Sequence, residues 1–151
     1  MDERARQFLN RRRVAHLATV GGGGEPHVIP VCFALVGSVV YVAIDEKPKR
    51  FEDPLRLRRL RNIAENPRVA VVADVYDDDD WSRLGFVLLT GRARVLEDDE
   101  EHRRAVEVLR AKYRQYASMA LDERPVIALD VEHVTRWGTT RADVLGEVDH
   151  G

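Results

Sequence analysis

The sequence predicts an α+β chain, mainly β, in which about six antiparallel strands close into a small barrel flanked by two or three peripheral helices. Three observations carry that expectation. Apolar runs at 14–20, 27–36 and 39–44 are separated only by turn residues, the pattern of an antiparallel meander. Two stretches with helical apolar spacing interrupt the strands, one after the third strand and one before the last. A length of 151 residues with 44% apolar content suits one domain, expected over residues 1–138, with 139–151 as a tail or arm.

Taken in order, Asp2 to Arg12 reads as a short amphipathic helix across a barrel end, with Ala5, Phe8 and Leu9 facing inward. Val14 to Val20 is a first strand. The run Gly21 to Gly24 with Glu25-Pro26 is a hairpin connection rather than a dinucleotide loop, because it opens a strand and not a helix. His27 to Val36 is the second strand, and Pro30 inside it marks an edge or a bulge, since proline cannot donate to a ladder. Gly37-Ser38 turns the chain into a third strand, Val39 to Ile44. Asp53-Pro54 reads as an N-cap and first helical position, followed by a stripe of Leu57, Leu60, Ile63 and Ala64 that Asn66-Pro67 ends. Arg68 to Ala73 is a buried strand. Leu84 to Leu96 is a long strand broken by Gly91, and a long helix is expected from 97–101 through about Met119. Its buried face draws on Ala105, Val106, Val108, Leu109, Tyr113 and Tyr116. Val126 to Val134 is the last strand, continuing into Arg136-Trp137-Gly138.

The charges are balanced overall and clustered locally. With 24 basic and 26 acidic residues the formal charge is -2, which gives no general attraction to nucleic acid or to an anionic membrane. Lys47, Lys49, Arg50, Arg56, Arg58 and Arg59 nevertheless gather around one helix entrance. A solvated arginine face is the ordinary explanation for such a run, but the adjoining Lys-Pro-Lys loop adds cations where helix dipoles also favour an anion, so the cluster reads as a cradle for a phosphorylated ligand. A capping Asp53 would occupy some of the backbone donors, leaving most of the contact to side chains.

Other chemistries find little support. His16, His27, His102, His133 and His150 have no zinc-site spacing, the lone Cys32 cannot complete one, and no metal site is expected. Asp77 to Asp80 form a run that self-repels and cannot converge on one ion. Ser38, Ser82 and Ser118 lie in no nucleophile motif. An enzyme built this way takes its reactivity from a bound cofactor, and no catalytic side chain is assigned. No apolar run has membrane-spanning length, the N-terminus has no signal-peptide pattern, and no disulfide is possible, so the cytoplasm is the expected location.

The segments VVYVAI, DEKPK, RLRRLRNIAENP, RVAVVADVY, DDDDWSRL, FVLLTGRARV and VTRWG, in that order, resemble the pyridoxamine-5'-phosphate-oxidase-like FMN-binding split-barrel family. More narrowly, they resemble its short branch that uses the deazaflavin coenzyme F-420. The likeness runs from about Val14 to Gly138. It implies a split β-barrel homodimer with cofactor sites at the subunit interface, acting as an oxidoreductase that passes hydride to an unsaturated small-molecule acceptor. Coenzyme F-420 is the implied cofactor, with FMN as the alternative, and a flavin carrier or sensor without turnover is the other reading. The resemblance places the cofactor phosphate at Arg58 and Arg59 with Lys47 and Lys49 beside them. It places the ring along the backbone of Pro30, Val31, Cys32 and Phe33, with further contacts from Val42 and Ala43. Trp137 falls near the ring or packs in an interface. The segment TTRADVLGEVDHG lacks the family's Arg-x-His substrate clamp, which argues against oxidation of pyridoxamine phosphate.

Overall fold

The structure is a computed structural model that describes residues 1–45 and 57–138. Lys47, Lys49, the expected cap Asp53-Pro54 and the expected tail 139–151 lie outside the described residues. The elements run α1 (Glu3–Arg11), β1 (Ala15–Val20), β2 (Pro26–Val31), β3 (Phe33–Val36), β4 (Val39–Ala43), α2 (Arg58–Glu65), β5 (Arg68–Val75), β6 (Gly85–Leu96), α3 (Glu100–Lys112) and β7 (Val126–Gly138).

One antiparallel sheet of seven strands holds the order β2-β1-β5-β6-β7-β4-β3. Its two edge strands, β2 and β3, are consecutive pieces of one extended segment joined at Cys32. The sheet therefore curls round until its edges meet at a single residue. The expected second strand, 27–36, is thus corrected to two. Pro30 pairs opposite His16 near the end of the β1–β2 ladder, and the chain then leaves β1 to pair Phe33 with Val42 in β4. A proline on an edge strand costs no central ladder bond, which is why the break can fall here.

Strand alternation sends one face of the sheet inward. Leu17, Phe33, Val42, Val71, Leu89 and Leu129 meet there, capped by Phe8 and Leu9 from α1 and by Leu60 and Ile63 from α2. A second cluster forms outside the β3–β4–β7 side, where Ala105, Val106 and Leu109 of α3 cover Ala34, Tyr41, Ala43 and Ala128. Gly91 sits where the β6–β7 register shifts, and a Cβ there would collide with the Asp130 carbonyl oxygen. The expected break in that long strand is a bulge within one continuous β6.

Three expected boundaries move. Leu57 has an extended backbone (φ -58°, ψ 138°), so α2 begins at Arg58, and its buried residues include Arg59 and Asn62 while Ala64 is exposed. Asn62 donates to Thr19 Oγ1 at 3.0 Å, which satisfies a polar side chain that the apolar stripe did not include. Helix α3 stops at Lys112 because Tyr113 turns extended (φ -121°, ψ 112°); a 3₁₀ turn at Arg114–Ser118 replaces the expected final turns, and another at Leu121–Glu123 lies in the connection to β7. Strand β7 runs on through Gly138. Among the described residues, no helix is long and apolar enough to cross a membrane.

Candidate functional site

The site grows from the break at Cys32. Cys32 belongs to neither ladder, and its side chain packs with the cluster under α3, whereas its neighbours Val31 and Phe33 point into the barrel. Tyr113, just past the end of α3, secures this point. Its hydroxyl accepts from the Phe33 N–H at 3.0 Å, and its one proton faces the carbonyls of Phe33 and Arg13, each at 3.0 Å. Burial pushes the Tyr113 phenol up to about 12, so the hydroxyl keeps that proton.

Below Tyr113 lies a cavity of about 720 Å³, lined among others by Arg13, Cys32, Asp45, Lys112 and Tyr116. It joins three regions distant in sequence: the chain after α1, the β2–β3 break with the end of β4, and the end of α3. Tyr116 donates to Asp45 Oδ2 at 2.6 Å, and burial together with that carboxylate raises the Tyr116 phenol well above its usual range. Lys112 lays its ammonium over the Phe33 ring at 3.8 Å from the centroid. Desolvation first, and the charge of Arg13 second, pull the Lys112 ammonium down to about 8. Arg13 is fixed by a bond from Nη2 to the Lys112 carbonyl at 2.7 Å and by stacking over the Tyr113 ring at 4.6 Å.

The expected cofactor residues fall in three places. The first group is contiguous: Phe33 and Val42 are directly paired, Ala43 follows Val42 on β4, and Pro30, Val31 and Cys32 lead into Phe33 along the chain. The side chains of Val31, Phe33 and Val42 are buried in the barrel, so this segment offers a ligand its backbone, together with the exposed Pro30 and the half-buried Cys32. Arg58 stands elsewhere, beside the Gly21–Glu25 turn, in a 2.9 Å ion pair with Glu25 at the rim of a cavity of about 220 Å³. Its neighbour Arg59 is buried (5% exposed). The two arginines of the expected phosphate pair therefore face different surroundings. Trp137 is the third place: 56% exposed, it pairs across the ladder with Phe86 and stacks on it at 6.0 Å. Among the described residues, no group of three His, Cys, Asp or Glu side chains could hold a metal ion.

A planar ring system suits this arrangement in two respects. The strand pair around Cys32 presents backbone beside a cavity, and the Phe86–Trp137 stack presents an exposed aromatic surface. Sequence reading missed Arg13, Lys112 and the joint role of Tyr113 and Tyr116. Two tyrosines three apart after a cationic helix end were the available signal, and they were absorbed into an overlong helix.

Comparison with known proteins gives consistent findings. The family model described as pyridoxamine 5'-phosphate oxidase matches residues 1–138. A 5a,11a-dehydrotetracycline/5a,11a-dehydrooxytetracycline reductase from Streptomyces rimosus is 33% identical over 122 residues, covering 76% of this chain and 80% of its own. A conserved hypothetical protein from Mycobacterium tuberculosis superposes with a TM-score of 0.73 at 20% identity, over 97% of this chain and 88% of that one. The heme storage protein HutZ from Vibrio cholerae gives 0.65 at 18% identity, over 87% of this chain and 89% of that one. At those identities the two structural likenesses concern the fold.

Proposed function

This chain belongs to the pyridoxamine 5'-phosphate oxidase family, and on that premise we propose that it is an oxidoreductase of flavin type whose cofactor is the deazaflavin coenzyme F-420. The substrate in this reading is an unsaturated small-molecule acceptor. The observation that carries the reading is the family match over residues 1–138 together with a reductase relative at 33% identity. The cationic run from Lys47 to Arg59 supports the deazaflavin over FMN, because the deazaflavin carries an acidic tail in addition to its phosphate.

The chain's own contribution is binding and orientation. The backbone from Pro30 to Phe33, braced by Tyr113, and the paired strand at Val42 and Ala43 would set the ring. Arg58, Lys47 and Lys49 would hold the phosphate, Arg58 exchanging Glu25 for it. When bound, the cofactor supplies hydride chemistry, and no acid or base from the protein is assigned. A homodimer completes the proposal. Val28 (61%), Tyr76 (62%) and Trp137 (56%) are exposed apolar side chains that such an interface could cover.

The test is titration of purified apo protein with F-420 and, separately, with FMN, followed by cofactor fluorescence, with the mass in solution measured by light scattering. Saturable quenching of F-420, tighter than for FMN, in a particle of twice the chain mass is expected. Tighter FMN binding would replace the deazaflavin, and saturation by neither would remove the proposal.

A further inference from the structure

We propose that the outer face of β1, β5 and β6 packs on the same face of a second copy, with the strands antiparallel across the contact, so that Asp74 meets the partner's Arg68 and Trp137 enters the hollow beside it. This rests on the homodimer proposed above and assigns its surface and register.

The strands themselves call for cover on both sides. An antiparallel sheet with one wet face alternates apolar with polar residues, but β1, β5 and β6 carry apolar side chains at the outward positions as well. Ala18, Val20, Ala70, Val72, Phe86 and Leu88 alternate with the buried positions, are only half-buried, and belong to neither core cluster. Helix α3 covers the outside of the sheet on its β3–β4–β7 side, away from this shelf.

The charges at the two ends of the shelf point to the partner and its orientation. Along β5 the outward positions read Arg68, Ala70, Val72, Asp74, a cation and an anion at opposite ends of an apolar strip. Both charged side chains are exposed, and no ion pair among the described residues uses either. A two-fold contact sets residue i against j and j against i. With antiparallel strands it opposes Arg68 and Asp74 twice, whereas parallel strands would set like charge on like charge. A second copy is therefore a partner whose charge pattern complements this face in one register.

The shapes agree with the charges. In the ladder Asp74 stands beside Phe86 and Phe86 beside Trp137, so the anionic end is also the aromatic end. At the other end Arg68 stands beside Arg92, next to a cavity of about 380 Å³ lined among others by Ala18, Ala70, Thr90 and His133. Small side chains leave that hollow open. The antiparallel register brings the exposed Trp137 over it and the partner's Arg92 toward the Phe86–Trp137 stack.

The experiment uses the full chain without cofactor, its mass followed by light scattering over a dilution series. A dimer is expected whose dissociation constant rises about ten-fold or more with Arg68→Asp or with Asp74→Arg, since each substitution sets two pairs of like charges together. The double variant, Arg68→Asp with Asp74→Arg, should return to within about three-fold of wild type, because the pairs are restored with their signs exchanged. In the wild type, tryptophan emission should move to shorter wavelength as the dimer forms, and Trp137→Phe should remove that shift, a readout that holds even if a charge variant fails to fold. A monomer at every concentration, a dimer indifferent to both single substitutions, or a double variant no tighter than the singles would overturn the assignment. A dimer indifferent to the single substitutions would leave the homodimer standing and remove only this face, and the F-420 titration is read separately.

Discussion

Replacing Tyr113 with phenylalanine isolates the contact that holds the strand break in place. The ring stays, so packing beside Tyr116 and under Arg13 is nearly unchanged, and only the hydroxyl is lost. That hydroxyl accepts from the Phe33 N–H at 3.0 Å, on a residue with no exposed surface. Leaving a buried amide unsatisfied costs about 1–3 kcal/mol, and the lost donated bond adds about 1 kcal/mol, so a destabilisation of roughly 2–4 kcal/mol is expected. With a urea m-value of about 1.5 kcal/mol/M, the midpoint should fall by roughly 1.3–2.7 M at unchanged m. The assay is urea unfolding followed by tryptophan fluorescence at about pH 7 and fixed protein concentration, because self-association would add a concentration term. A loss below about 0.5 kcal/mol would mean that water or a backbone shift replaces the hydroxyl, and that the Cys32 break holds without Tyr113.

Three further outcomes follow from other contacts. Gly91→Ala should destabilise by about 2 kcal/mol or more, since the added methyl meets the Asp130 backbone and not a yielding side chain; an unchanged thermal midpoint would contradict the bulge geometry. Arg94 bridges Glu101 through two bonds of 2.9 and 3.0 Å and Asp130 through two of 2.7 and 2.9 Å, half in solvent, so Arg94→Met should cost about 1 kcal/mol at neutral pH. The Arg94 hydrogen bonds hold Glu101 below the usual carboxylate range, so its contribution is present above the ordinary value of 4.5 and is lost as pH falls through the depressed one. Wild type and Arg94→Met should accordingly converge in acid, and a gap that persists there would assign the effect to packing. In the F-420 titration, Lys47→Ala with Lys49→Ala should weaken binding by about 2–4 kcal/mol if both cations contact the phosphate, and unchanged affinity would move that contact elsewhere.

Much of the fold was legible because strand and helix periods are local properties. Ala5, Phe8 and Leu9 announce the buried face of α1, and the alternation of Val69, Val71 and Ala73 announces the inner face of β5. The Cys32 break was not legible. The run from Val28 to Val36 is almost uninterruptedly apolar, and only the choice of ladder partner, β1 for Val31 and β4 for Phe33, divides it. The end of α3 was hidden similarly, because Tyr113 and Tyr116 keep helical spacing while the chain turns extended to bring a hydroxyl to Phe33.

The candidate site divides along the same line. Residue type and spacing by themselves determined the absence of a nucleophile motif and the cationic run before α2, and the order of the motifs carried the resemblance to the family. Only the tertiary structure decided that Arg58 faces Glu25 while Arg59 is buried, and that Arg13, Cys32 and Lys112 share one cavity. The physical reason is that charge and apolar period are written along the chain, whereas a cavity wall is assembled from segments that meet only when the sheet has curled and α3 has docked.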